Sequence, residues 1–346
     1  MIKEKEVTIY DIAGRLNISI ATVSRALKDS PAVNKKTKKK IFDLAEKLNY
    51  RSNHFARNLR NANTKTIGVI IPRLNSNFMS SVIAGIESIL NKEGYNLIIS
   101  QSSEDVKKEI ASAKTMFNNR VDGLLVSLAY DTEDIDHFNR FHKKNIPVIF
   151  FDRVMDHSQY TNILIDNKQA AYEATTHLIK QGCKRIVHIT AIPKQNVYRD
   201  RLNGYKQALK DTKKKFDEKN VITGNLSLEA GIAASEIIMQ MKPLPDGVFV
   251  ANDTCAVGCM LALKQSGIRI PEDMAFVGFN NDPVSKVIEP NLTTVNYPGY
   301  EMGEVAARNL INHLKGNATI LATSTILLRS EIIVRGSSQK RKSNNG

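Results

Sequence analysis

The sequence predicts an α/β chain in two parts: an all-α head of three short helices, then a bilobed body of two doubly wound parallel sheets. Three observations predict it. The first sixty residues place apolar side chains at helical spacing, interrupted by capping residues. From Thr66 onward, short apolar runs alternate with amphipathic stretches, as buried parallel strands alternate with covering helices. After a chain crossing that alternation resumes, so two lobes are expected with a ligand cleft between them, at the carboxyl ends of the strands.

In the head, Thr8-Ile9-Tyr10-Asp11 fits a capping box, and Ile9, Ile12, Ala13 and Leu16 form one apolar stripe. Asn17 follows, a residue that tolerates the left-handed backbone of a tight helix end. Ser19 caps a second helix, about Ile20 to Lys28, with Val23, Ala26 and Leu27 facing inward. Asn34 caps a third, Lys35 to Leu48, whose inner face is Ile41, Leu44, Ala45 and Leu48. Two short helices joined by a tight turn and braced by a third make a helix-turn-helix unit.

In the body, strands are expected at Thr66–Pro72, Tyr95–Gln101, Val121–Ser127 and Pro147–Phe151, then at Arg185–Thr190, Gly247–Ala251 and Met274–Phe279. Helices are expected near 78–92, 107–119, 134–144, 167–181, 199–211, 229–241, 254–266 and 300–314. The division this implies is a head at 1–52, a hinge and linker at 53–65, a bilobed body at 66–336 and a disordered basic tail at 337–346. One lobe is expected to hold 66–163 and 292–322, the other 164–291 and 323–336.

Charge separates the parts further. Of the net +14, residues 1–65 carry +9 and the tail +3, which leaves +2 for the body. A basic head on a nearly neutral body is the electrostatic footprint of nucleic-acid binding. No run approaches the ~18 apolar residues of a membrane span, and the first ten residues lack a secretory apolar stretch. A soluble cytoplasmic protein with no membrane partner is expected. Three cysteines, Cys183, Cys255 and Cys259, suit a reducing compartment. Cys255 and Cys259 are four apart but have no nearby His, so neither a metal nor a cofactor is expected.

Catalytic signatures are absent. The first strand of the body leads into Arg73-Leu74-Asn75-Ser76-Asn77 rather than a Gly-rich turn, and no GxxxxGK[ST], HExxH or GxSxG occurs. The chain is not expected to be an enzyme.

The run Val7-Thr8-Ile9-Tyr10-Asp11-Ile12-Ala13, then Ser19-Ile20-Ala21-Thr22-Val23-Ser24-Arg25-Ala26-Leu27, resembles the head of the LacI/GalR family of bacterial transcriptional regulators. Lys47-Leu48-Asn49-Tyr50 and Asn53-His54-Phe55-Ala56-Arg57-Asn58-Leu59 extend the match. Two positions depart from the family pattern: Asn17 stands where Gly is frequent, and Ser52 where a proline commonly precedes the hinge. Further matches are Ile67-Gly68-Val69-Ile70-Ile71-Pro72, Val121-Asp122-Gly123-Leu124-Leu125, Phe151-Asp152-Arg153, Val250-Ala251-Asn252-Asp253, Val277-Gly278-Phe279-Asn280-Asn281 and Pro290-Asn291-Leu292-Thr293-Thr294-Val295. The resemblance covers residues 7–336, and it implies a body like the type I periplasmic binding proteins.

It also implies roles. Ile20, Ala21 and Arg25 stand at base-reading positions of the second helix. Arg25 has the geometry for a bidentate pair with guanine, whereas Ile20 and Ala21 read only shape or a thymine methyl. Tyr10, Ser19, Thr22, Ser24, Asn34 and Thr37 match phosphate-contacting positions. Leu59 matches the leucine that wedges into the minor groove, flanked by Asn53, Ala56 and Arg57. In the cleft, Asp166, Arg201, Asn252 and Asn280 match positions that hydrogen-bond a ligand, Phe78 one that packs on its ring, and Met79, Tyr198 and Leu226 are further candidates. Asp166 as a helix cap and Asn252 as a strand-end turn residue are the plainer alternatives. Gln195 and Val197 do not keep the Arg and Thr of purine-binding members, which favours a sugar.

The function these readings imply is a sequence-specific transcriptional regulator, expected to repress, that binds a palindromic operator in double-stranded DNA as a homodimer. A sugar-like effector would control it. No heptads follow Gly336, so the coiled-coil tetramerisation tail of some relatives is not expected. The alternative is a sugar-binding or enzymatic α/β body fused to a non-specific basic head.

Overall fold

The computed structural model describes residues 7–27, 29–50, 63–156, 159–320 and 324–340. The chain divides into two compact units, Met1–Thr64 and Lys65–Gly346.

The head is built from local signals. Helices α1 (Ile9–Leu16), α2 (Ile20–Leu27) and α3 (Lys35–Lys47) enclose Ile12, Ala13, Val23, Ala26, Val33, Ile41 and Ala45. The Asp11 carboxylate accepts from the Thr8 N–H at 2.7 Å and the Thr8 hydroxyl at 2.6 Å, which satisfies the start of α1. Asn17 ends that helix at φ 52°, the left-handed geometry expected of it. Ser19 Oγ accepts from the Thr22 N–H at 3.1 Å, and Asn34 Oδ1 from the Thr37 N–H at 2.8 Å.

The body holds two six-stranded sheets. The first runs β11-β5-β4-β3-β1-β2, from β1 (Thr66–Ile71), β2 (Asn96–Gln101), β3 (Gly123–Val126), β4 (Val148–Phe151), β5 (Thr161–Ile165) and β11 (Thr325–Leu328), and every ladder is parallel. The second runs β12-β10-β9-β8-β6-β7, from β6 (Ile186–Thr190), β7 (Val221–Thr223), β8 (Gly247–Val250), β9 (Ala275–Asn280), β10 (Thr293–Asn296) and β12 (Glu331–Ile333). Only β12, at its edge, is antiparallel among the described strands of this sheet.

Helices cover both sheets, as parallel strands require. The first lobe has α4 (Asn77–Lys92), α5 (Val106–Asn118), the short α6 (Asn139–His142) and α12 (Gly299–Leu314). The second has α7 (Asn167–Lys180), α8 (Asn196–Asp211), α9 (Leu228–Gln240), α10 (Asp253–Gln265) and the one-turn α11 (Val284–Val287). Three helix pairs cross backbone against backbone. A Cβ on Gly85 would lie 2.0 Å from Tyr300 O, one on Gly204 2.1 Å from Lys168 O, and one on Gly231 2.0 Å from Cys255 O. All three cysteines are buried thiols. No described helix is long and apolar enough to cross a membrane.

Several expectations need correction. The helix expected near 134–144 is a 3-10 turn at Asp136–Phe138 followed by α6. The lobe boundaries also move. Residues 292–296 belong to the second lobe, because β10 pairs with β9, and 325–328 to the first, because β11 pairs with β5. The expected disordered tail is ordered at its start: Ser337 and Ser338 are fully buried, and Ser337 Oγ donates to Phe276 O at 2.8 Å while accepting from the Thr293 N–H. Small hydroxyls fill a slot in the second lobe there, so chemistry that reads as a loop in sequence becomes core.

Candidate functional site

The exposed face of α2 presents Ile20, Ala21 and Arg25, while Val23 and Ala26 on its other side are buried. The three expected base readers thus share one accessible surface. Tyr10 is 67% exposed. Ser19 and Thr22 pair through their hydroxyls at 2.8 Å, and Ser24 and Thr37 are half-buried. Asn34 is exposed but spends its Oδ1 on the cap of α3, leaving its amide nitrogen as the free group. Asn53, Ala56, Arg57 and Leu59 lie outside the described residues.

In the body, a cleft of about 370 Å³ opens at the carboxyl ends of both sheets, where this class of fold binds ligands. Phe78, Met79, Tyr198, Arg201, Leu226, Asn252 and Asn280 all line it. Asp166 does not. Its Oδ1 accepts from the Gln169 N–H at 2.8 Å, which makes it the cap of α7. The cap uses one carboxylate oxygen, so Asp166 sits outside the cleft lining with its Oδ1 spent on α7.

Arg201 is 96% buried and held from two sides: Nε donates to Asn167 Oδ1 at 2.9 Å, and Nη1 to Ala251 O at 2.9 Å. Its plane lies over the Phe279 ring at 3.6 Å. A guanidinium fixed on Nε and Nη1 keeps Nη2 for the cleft. Phe78 stacks on Tyr297 at 4.2 Å with 23° between planes, giving an aromatic wall. Asn252 Oδ1 accepts from the Cys255 N–H at 3.1 Å and so caps α10, which leaves its amide nitrogen as the group a ligand can use. Leu226 at φ 59° and Asn280 at φ 119° hold left-handed backbone, conformations that cluster where a site over-determines them.

Sequence reasoning missed the charged half of the site. Asp152, also left-handed at φ 60°, accepts from Tyr297 Oη at 2.6 Å and Ser127 Oγ at 3.3 Å. Burial pushes its carboxyl above the usual range, against the pull of Arg153 and the Tyr297 bond. Arg153 donates from Nη1 to Glu104 Oε2 at 2.6 Å and from Nη2 to Tyr198 Oη at 3.1 Å, joining the lobes along one wall. Arg73 Nε meets Glu104 Oε1 at 3.1 Å. Asp282, pushed up to about 6 by burial, and Glu229 complete the acidic groups. A sequence signal for them existed: Asp152 and Arg153 directly follow the apolar run of β4, and Arg73 follows β1 by two residues, so both sit at strand carboxyl ends.

Gln195 does not line the cleft. Its amide donates to Ala129 O and Tyr130 O, both at 3.0 Å, and so ties the loop after β3 to the start of α8. Val197 does line it. Among the described residues no cluster of three metal-ligating side chains occurs.

Residues 8–53 match the family model for bacterial regulatory proteins of the lacI family, and residues 175–338 match a periplasmic binding protein-like domain. The chain is 32% identical to catabolite control protein A of Priestia megaterium over 96% of this chain and 99% of that protein. Its fold is similar to a lac repressor dimer solved bound to operator and the anti-inducer ONPF, with a TM-score of 0.83, 25% identity and coverage of 96% and 99%. A complex of the transcriptional regulator CelR with cellobiose aligns with a TM-score of 0.72, 25% identity and the same coverage.

Proposed function

The chain belongs to the LacI family of bacterial regulatory proteins and is a DNA-binding transcriptional regulator, and from that premise we propose that it is a repressor whose hold on a palindromic operator is set by a sugar-like effector. One observation carries the effector half: Arg201, pinned by Asn167 and Ala251, offers its remaining edge to a cleft lined by amides, carboxylates and the Phe78–Tyr297 stack. Vicinal hydroxyls suit that mixture, since each is both donor and acceptor and an apolar ring face packs on an aromatic wall. The cellobiose held by CelR supports the same class.

In this reading two copies act together, their two-fold axis mirrored in the operator half-sites. Ile20, Ala21 and Arg25 read bases; Tyr10, Ser19, Thr22, Ser24, Asn34 and Thr37 contact phosphates; the segment with Asn53, Ala56, Arg57 and Leu59 enters the minor groove. Head, hinge and effector-binding body meet at about residues 52 and 65. Ligand in the cleft favours one lobe arrangement and shifts the equilibrium only by its differential affinity for the two. The cleft serves binding rather than catalysis, and the protein acts in the cytoplasm on chromosomal DNA.

The test is fluorescence anisotropy on an operator found by sequence selection, titrated with a sugar panel, beside sedimentation of the free protein. We expect a dimer, sequence preference, and a sugar that changes operator affinity in wild type but not in Arg201→Ala. Equal binding to all duplexes, or an unaltered sugar response in that variant, would defeat the reading.

A further inference from the structure

Resting on that reading, we propose that the cleft selects an uncharged polyhydroxy ligand and that Glu104 is the residue that turns away its phosphorylated or carboxylated counterparts. Three guanidiniums line the cleft, of Arg73, Arg153 and Arg201. Two of them are already engaged by one carboxylate. Glu104 Oε2 accepts from Arg153 Nη1 at 2.6 Å and from the Tyr130 N–H at 3.1 Å, while Oε1 faces Arg73 Nε at 3.1 Å.

Glu104 is not free to swing aside. Its side chain is 17% exposed, and it sits on two consecutive left-handed residues, Ser103 at φ 55° and Glu104 at φ 64°. Backbone strain of that kind persists where surrounding contacts over-determine it. Arg153 is tied on its far edge as well, to Tyr198 Oη of the other lobe. A phosphate or carboxylate entering the cleft therefore meets two of its three guanidiniums already engaged by a fixed anion, leaving the open edge of Arg201, with Asp152, Glu229 and Asp282 as further acidic groups on the walls.

The ionised phosphate or carboxylate group of such a ligand is acceptor-only and, unlike the hydroxyl it replaces, has nothing to offer those carboxylates. A hydroxyl can donate to Glu104, Glu229 or Asp282 and accept from Arg73 or Arg201. Taken alone, the fixed charge of Glu104 about 5 Å from a ligand anion corresponds, at an effective dielectric of about 20, to a loss of affinity of roughly two- to three-hundredfold.

The experiment uses the full-length protein and matched sets of ligands: a neutral sugar, its phosphate ester and its uronic acid, measured by thermal shift and isothermal calorimetry on wild type and Glu104→Gln. Wild type is expected to bind the neutral member at least tenfold more tightly than either anion, and Glu104→Gln to shrink or reverse that gap. An anionic member that binds wild type more tightly than its neutral parent overturns the inference, as does a gap unchanged in the variant. Misfolding of Glu104→Gln leaves the wild-type comparison decisive. Wild type blind to every sugar, charged or neutral, defeats the sugar reading itself, so the two failures are told apart.

Discussion

The phenol of Tyr297 donates to Asp152 Oδ1 at 2.6 Å, linking the segment after β10 in the second lobe's sheet to the carboxyl end of β4 in the first. Tyr297 also stacks on Phe78 and meets Phe279 edge-on, so one side chain touches groups of both lobes and the cleft. Tyr297→Phe keeps the ring and removes the donor, leaving the buried Asp152 with Ser127 as its hydroxyl partner. Unfolding by urea should show a loss of about 1–3 kcal/mol at pH 8. The Tyr297 bond lowers the Asp152 pKa against burial, so the ionised form benefits most from it. The deficit should shrink as pH falls, and a deficit that grows in acid would contradict this account.

Asp253 supplies a second pH signature. It is fully buried behind the cleft, where Oδ1 accepts from Thr294 Oγ1 at 2.7 Å and Oδ2 from the Asp282 N–H at 2.8 Å. Burial first, and the Asp282 charge after it, push its carboxyl up to about 7. The folded state therefore holds a proton that the unfolded chain, titrating near 4, has released. Between those values stability falls as pH rises, and it flattens above about 7. Asp253→Asn keeps an acceptor for the Asp282 N–H and turns its amide nitrogen toward Thr294 Oγ1, which then accepts instead of donating. Its unfolding free energy should lose less between pH 5 and pH 8 than that of wild type, by an amount on the order of 2 to 4 kcal/mol. Identical slopes for the two proteins would remove the assignment.

How much of this was legible in sequence depended on how local the cause was. Thr8 with Asp11, Asn17, Ser19 and Asn34 act on residues within a few positions, so the head could be read directly. The runs that became β1, β3, β4, β8 and β9 were legible because a strand buried on both faces is a continuous apolar stretch. Strand β10, Thr-Thr-Val-Asn, was not, because its polar residues are buried by partners far along the chain: Thr294 by Asp253, and Thr293 by Arg335, Ser337 and Ser338. The lobe crossings failed for the same reason, since only the ladder shows that Thr325–Leu328 returns to β5. Seven of the eight effector candidates line the cleft, yet Glu104 escaped notice because two left-handed residues, with no local signature, aim it there.

Gly204 tests how closely α7 must approach α8. A Cβ there would lie 2.1 Å from Lys168 O and 2.8 Å from Tyr172 N, both backbone atoms. Alanine improves helix propensity by about 1 kcal/mol, but the helices must separate, which costs at least about 1–3 kcal/mol. Gly204→Ala should therefore be destabilised. Because Arg201, one turn earlier on α8, bonds Asn167 on α7, ligand affinity should fall with stability. Chemical denaturation and calorimetry on the same preparation check both, and a more stable variant with intact affinity would show that the crossing has slack.

On α2 the exposed Arg25 shares its face with Ile20 and Ala21, and only Arg25 can hydrogen-bond a base edge with two parallel donors. Arg25→Ala should cost about 1–3 kcal/mol of discrimination at one base pair in each half-site. Sequence selection with the purified variant should return a motif relaxed at that pair and unchanged elsewhere. A phosphate contact behaves differently: its loss weakens all sequences alike and lowers the salt slope by about one. Lys39→Ala, from the exposed lysines at the start of α3, should behave in that second way and leave the motif intact. The two variants separate reading from attraction. If Arg25→Ala kept the full motif and lost only affinity, Arg25 would belong with the lysines, and base recognition by this helix would rest on Ile20 and Ala21 alone.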